Sequence, residues 1–135
     1  MRAVLGLVVT LTLCACRPAI IVTNDGIKDL DALDKVMGVL ADAADPGFDI
    51  ADGAADGQLT EPQLKQLAAI GGRVTLAANR AKGFSKGAGY DALADQLASQ
   101  GRALTKAAQA SDGAAAVKGA TAIRDTCRAC HSEFR

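Results

Sequence analysis

Between Ile27 and Phe134 the apolar residues recur at spacings of three and four in four successive runs, and this period is what most limits the fold. The first run is Ile27, Leu30, Leu33, Met37, Leu40 and Ala44, and the second is Leu64, Leu67, Gly71, Val74, Ala78 and Ala81. The third is Tyr90, Leu93, Leu97, Gly101, Leu104 and Ala108, and the fourth is Ala116, Ala120, Ile123, Cys127, Cys130 and Phe134. A period near 3.6 gives each helix one buried stripe, and no stretch shows the period-two alternation of a half-buried strand. Four stripes joined by short connections predict an all-α chain, folded as an antiparallel up-down-up-down four-helix bundle. Asn24 and Asp25 offer caps for the first helix, and Asp45-Pro46-Gly47 predicts its end, with a loop to Leu59. Thr60-Glu61-Pro62-Gln63 reads as a capping box with proline in the first turn. Gly83 ends the second helix, the third runs from about Tyr90 to Ala110, and Ser111-Asp112-Gly113 separates it from the fourth. The stripes are rich in Ala and Gly, with no Trp and three Phe. Such small side chains allow close packing but supply little apolar area, so a bundle built of them needs additional bulk.

The fourth run contains Cys127-Arg128-Ala129-Cys130-His131. On a helix, residues three and four apart share one face, so Cys127, Cys130 and His131 project together. Cys-x-x-Cys-His is the attachment signature of a c-type haem. Two thiols reach the two vinyl groups at one edge of a porphyrin while an imidazole reaches the iron. One covalent haem c, with His131 as axial ligand, is therefore expected on the apolar seam and inside the bundle. His131 is the single histidine of the chain, so no other imidazole competes for that role. A thioredoxin-like redox pair would need a strand pattern nearby. A structural zinc site would need four ligands, one more than these residues supply. The chain shows no paired carboxylates, nucleophile–base pair or phosphate-binding loop, so no enzymatic activity is expected. Asp52, Asp56, Gly57 and Leu59 echo a calcium-binding loop, but Ala54 and Gln63 stand where oxygen ligands are needed, and the aspartates read as turn formers.

The N-terminus reads as an export leader over residues 1–15. Met1-Arg2 is a short positive start, and Ala3 to Leu13 is an apolar run too short to span a membrane. Leu13-Cys14-Ala15-Cys16 resembles the lipobox of bacterial lipoproteins, which implies that Cys16 is lipidated and that the protein is exported to the periplasm and held on a membrane. Ordinary cleavage after Ala-x-Ala fits less well, because Leu13 sits where a small residue is wanted. Residues 16–23 then form a tether and 24–135 the haem domain. This division also accounts for the four cysteines. Cys14 leaves with the leader, Cys16 takes lipid, and Cys127 and Cys130 take haem, so none remains for a disulfide. The 119 residues from Arg17 onward suit one domain. Their charge is near balance, which argues against nucleic-acid binding. It is unevenly spread: residues 17–60 carry net −6 and residues 61–135 net +5. An acidic first helix lying against more basic ones explains this; a docking face for a charged partner is the alternative.

With the motif near the end of the last of four helices, the chain resembles the cytochrome c prime family, including its low-spin relatives. The likeness is specific over Tyr90 to Arg135, where Ala110-Ser111-Asp112-Gly113-Ala114-Ala115-Ala116 precedes the last helix and His131-Ser132-Glu133-Phe134-Arg135 closes it. It implies covalent haem c, His131 as proximal ligand, and a basic residue on the proximal side, which Arg135 supplies. It also implies that the first helix presents one side chain to the sixth iron position. Met37-Gly38-Val39-Leu40 resembles that segment, which makes Met37 the candidate distal ligand. Leu33 occupies the place of the basic residue often found one turn earlier. Electron transfer to an unidentified redox partner is the function this implies. A five-coordinate iron facing an apolar pocket of Leu33, Met37 and Leu40, binding NO or CO, is the alternative. A haem-free helical lipoprotein acting as an interaction module is a third reading. Relatives are often dimers, so the resemblance extends to a homodimer.

Overall fold

Side-chain caps at Thr23, Thr60 and Asp112 mark three of the helix starts, while two others, after Ala32 and Gly87, begin without one. A computed structural model of the chain describes residues 22–135; the leader, Cys14 and the lipidation candidate Cys16 lie outside the described residues. The helices are α1 (Asn24–Ile27), α2 (Leu33–Gly53), α3 (Glu61–Ala81), α4 (Ala88–Gln109) and α5 (Gly113–Phe134), with a 3-10 turn at Lys82–Phe84. Among the described residues there is no strand. The capping box at Thr60 is complete: the Thr60 N–H donates to Gln63 Oε1 at 2.9 Å, and the Gln63 N–H donates to Thr60 Oγ1 at 3.4 Å. Asp112 caps α5 by accepting from the Ala115 N–H at 3.0 Å. Thr60→Ala should therefore lower stability by about 1 kcal/mol, read as a lower urea midpoint with unchanged slope.

The first helix differs from the expectation at both ends. It is not one helix from Asn24. Thr23 caps the four-residue α1, Ile27 is inserted into the core, and the chain leaves helical geometry before restarting at Leu33. The Arg80 guanidinium takes the Leu30 carbonyl, with Nε at 2.7 Å, and holds that carbonyl away from a continuous helix. Nor does Asp45-Pro46-Gly47 stop α2, which runs through Pro46 to Gly53. Pro46 costs one backbone bond, to the carbonyl of Asp42, but Asp42 stands on the exposed side where water replaces the lost donor. Burial of Ala43, Ala44, Gly47 and Ala51 on the other side keeps the segment helical.

Around the bundle α2 packs on α3 and α5, and α4 likewise packs on α3 and α5; α3 and α5 touch only slightly, and α1 lies on α3. The closest approach is between α3 and α4. A Cβ added at Gly71 would stand 2.5 Å from the Gly101 carbonyl oxygen, and one at Gly101 would stand 2.7 Å from that of Gly71. Thr75 Oγ1 donates to the carbonyls of Gly71 (2.8 Å) and Ala98 (3.4 Å), and Thr105 Oγ1 to those of Ala68 and Gly101 (both 3.1 Å). The larger core side chains, Ile27, Val36, Leu67, Val74, Leu104 and Ile123, are almost fully enclosed.

The charge asymmetry is used at one point between long helices. Arg124 on α5 forms a two-pronged pair with Asp52 on α2, at 2.8 and 2.9 Å, and stacks over Phe48 at 5.5 Å. The hydrogen bond from Arg124 holds the Asp52 carboxyl below its usual range. Asp56, the other aspartate of the calcium-like echo, accepts from the Gln58 N–H at 3.0 Å and shapes the turn.

Candidate haem site

The end of α5 is fixed before the motif's chemistry begins. Ala116, Ala120 and Ile123 are buried, and the seam then drifts, so that Thr126 is buried while Cys127 and Cys130 are half-buried and His131 is exposed. The last turn is held from α4 and its preceding loop. The Phe134 ring meets Tyr90 edge-on at 5.6 Å, and Lys86 Nζ donates to the Phe134 carbonyl at 2.9 Å. The Tyr90 hydroxyl in turn donates to the Ala81 carbonyl at the end of α3, at 3.2 Å. These contacts place Cys130 and His131 at a junction of α3, α4 and α5. The sequence showed Tyr90 and Phe134 as stripe residues but gave no sign that they meet, because their contact is between helices.

All four long helices border a small cavity of about 30 Å³ that opens to the surface beside His131. Met37 and Leu40 come from α2, Ala78 and Ala81 from α3, Tyr90 and Leu97 from α4, and Cys127, Cys130 and His131 from α5. On the outer side of the same residues lies a groove of about 290 Å³ between α2 and α5. Met37, Leu40, Cys127 and His131 line both, so the two spaces form one crevice. Leu33, expected on its wall, lines neither space and packs on the core instead; Ala41, Ala44 and Phe48, about two to four turns further on, supply the groove's apolar wall beside Met37 and Leu40. Arg124, Arg128 and Asp45 are its charged members. Arg135 stands exposed just past the end of α5 and lines neither space.

The lining of the smaller cavity is mostly apolar, and its effect on the thiols is direct. Burial pushes the Cys127 thiol up to about 11, with Cys130 and Asp45 adding to the effect. Burial and Glu133 raise Cys130, opposed by Lys86. Both therefore remain thiols at neutral pH. The Tyr90 phenol is raised as well, by burial first and then by Cys130 and Asp91.

These residues fit an iron porphyrin by their chemistry. Two thiols and one imidazole stand on one helix, apolar side chains face them, and a thioether borders the same crevice from the neighbouring helix α2. The smaller cavity has room for about one water, so a macrocycle would occupy the groove side too, along α2. When bound, haem supplies a one-electron iron couple or an open coordination position; the chain supplies attachment, ligands and exclusion of water.

The family model described as Cytochrome C′ matches residues 72–135 of the chain. The matched part runs from the middle of α3 through the Cys127–His131 motif, and leaves α1 and α2, with Met37, outside. No curated protein and no solved structure matches the chain.

Proposed function

We propose, from the match of the Cytochrome C′ family model to residues 72–135 and the site described above, that the chain is a c-type cytochrome, an electron carrier holding one covalent haem c. Cys127 and Cys130 form the thioethers, His131 is the proximal ligand and Met37 the distal one. The observation that carries this reading is that Met37 on α2 and His131 on α5, neighbouring helices of the bundle, border the same crevice beside the two half-buried thiols. A His/Met pair gives a six-coordinate iron of raised potential, suited to passing electrons. Arg135, at the helix end, complements the negative end of the α5 dipole.

The helices follow an up-down-up-down course in this reading. The pairs Thr75 with Ala98 and Thr105 with Ala68, which run in opposite chain directions, support it for α3 and α4. Residues 1–15 act as leader, lipidated Cys16 as anchor and 16–23 as tether, and the bundle works in the periplasm with a redox partner that this chain's residues do not identify.

Mass spectrometry of protein matured in a host with haem-ligation machinery tests the attachment. The expected result is an adduct of about one haem, surviving denaturation; a mass explained by residues and lipid alone overturns it, and leaves the haem-free interaction module. The optical spectrum then tests the carrier role. A sharp low-spin band in the reduced state is expected, whereas a broad high-spin band that shifts on adding CO assigns the site to gas binding.

A further inference from the structure

The described chain begins at Val22, six residues beyond Cys16. Even fully extended, six residues span only about 20 Å, so a lipid on Cys16 keeps the start of α1 close to the bilayer. The face beside that start is unlike the rest of the surface. Arg73 Nη1 donates to Asn24 Oδ1 at 2.9 Å, and Arg80, bound to the Leu30 carbonyl, also stacks on Phe84 at 4.5 Å. These contacts strap α1 and the turn after it across α3. Between the strap and α3 lies a groove of about 390 Å³ bordered by Asn24, Lys28, Leu76, Asn79 and Arg80. Leu76 is 41% exposed, and is the exposed large hydrophobic side chain among the described residues. The one acid of α3, Glu61, is tied to Lys65 at 2.7 Å, leaving Arg73 and Arg80 as the helix's other charges. Asp25 also lines the groove, and Asp29 and Asp31 stand exposed on the strap, Asp31 tied to Lys35 at 2.6 Å. The face therefore carries acids as well as Lys28, and its hold on a bilayer would come from Leu76 and the anchor rather than from net charge.

We infer that this α1–α3 face, centred on Leu76, is the surface that rests on the membrane. Leu76 enters the headgroup–acyl boundary, and the exposed Lys28 lies along the headgroup phosphates, while Arg80 stays engaged with the Leu30 carbonyl and Phe84 and holds the strap in place. No helix among the described residues is long and apolar enough to cross a membrane, so the contact is peripheral. The orientation has a functional consequence. α3 and α5 touch only slightly and sit across the bundle from one another. With α3 against the lipid, the crevice at Cys127 and His131 faces away from it, open to a soluble redox partner. This inference rests on the lipid-anchor reading of Cys16.

Carbene footprinting of the matured, lipidated protein on vesicles of phosphatidylethanolamine and phosphatidylglycerol tests it, with the mass of the N-terminal peptide measured on the same sample. Labelling at Leu76 and Lys28 should fall by roughly threefold or more against the Cys16→Ser protein in solution, while Arg128 and Arg135 on α5 keep their labelling. An N-terminal peptide without lipid overturns the anchor and this inference with it. A lipidated peptide with Leu76 still labelled leaves the anchor standing and overturns the orientation alone. Protection of Leu76 in the Cys16→Ser protein without vesicles assigns the face to a second copy of the chain, which also overturns it.

Discussion

Replacing Gly71 with alanine should lower the melting temperature by on the order of 10 °C, while the same change at Gly72 should leave it unchanged or raise it. The two glycines are adjacent in one helix, so their intrinsic preferences are the same: alanine favours the helix by about 1 kcal/mol at either. Their surroundings decide the outcome. At Gly72 a new Cβ meets nothing within 4 Å. At Gly71 it would stand 2.5 Å from the Gly101 carbonyl oxygen, 2.5 Å from Thr105 Oγ1 and 2.9 Å from the Thr105 nitrogen. Two of those three atoms are backbone, so no rotamer change relieves the clash. α3 and α4 must move apart, stretching the hydroxyl bonds of Thr75 and Thr105 across the seam. Overpacking of this kind costs about 1–3 kcal/mol and more where backbone must shift, which exceeds the helical gain. We therefore expect a net loss of about 2 kcal/mol at Gly71 and a small gain at Gly72. Gly101→Ala should behave like Gly71→Ala, because its Cβ would meet the Gly71 carbonyl oxygen at 2.7 Å. Thermal unfolding followed by circular dichroism measures all three. Equal effects at Gly71 and Gly72 would contradict the close α3–α4 approach.

The same seam shows what could be read from the chain and what could not. Gly71 and Gly101 were legible as stripe positions because burial on a helix leaves a period, and Thr60 because a cap needs one residue type at one place. The break after α1 left no such trace. It depends on Arg80, fifty residues away, taking the Leu30 carbonyl, and nothing near Leu30 announces that partner. Pro46 misled for a related reason. A proline's local cost is fixed, but whether a helix survives it depends on what its neighbours bury, here Gly47 and Ala51. At the site, Cys127, Cys130 and His131 were plain because three ligands at fixed spacing on a helix define their own geometry. Of the wall facing them, Met37, Leu40 and Ala44 were legible from the first stripe, but Ala41 and Phe48 were not, and Leu33 is left behind at the start of α2.

Met37→Ala should convert the reduced spectrum from low spin to high spin and lower the midpoint potential, with only a modest loss of stability. Met37 lines both parts of the crevice and is the only methionine beyond the leader. If its sulfur binds the iron opposite His131, alanine removes the sixth ligand, and the potential falls because a thioether favours the reduced iron. If Met37 only fills space, alanine deletes part of a half-buried side chain, at about 1–2 kcal/mol, and leaves the iron's electronic state alone. The two roles therefore separate by readout. A changed spectrum with a small shift in urea midpoint identifies a ligand, while an unchanged spectrum with the same shift identifies packing. Leu40→Ala supplies the comparison, since Leu40 is buried, lines the same two spaces and carries no donor atom. It should lower stability by about 2 kcal/mol or more and leave the spectrum in place. Loss of the low-spin band in Leu40→Ala as well would show that the sixth ligand depends on the packing of α2, and would remove Met37→Ala as evidence for direct ligation.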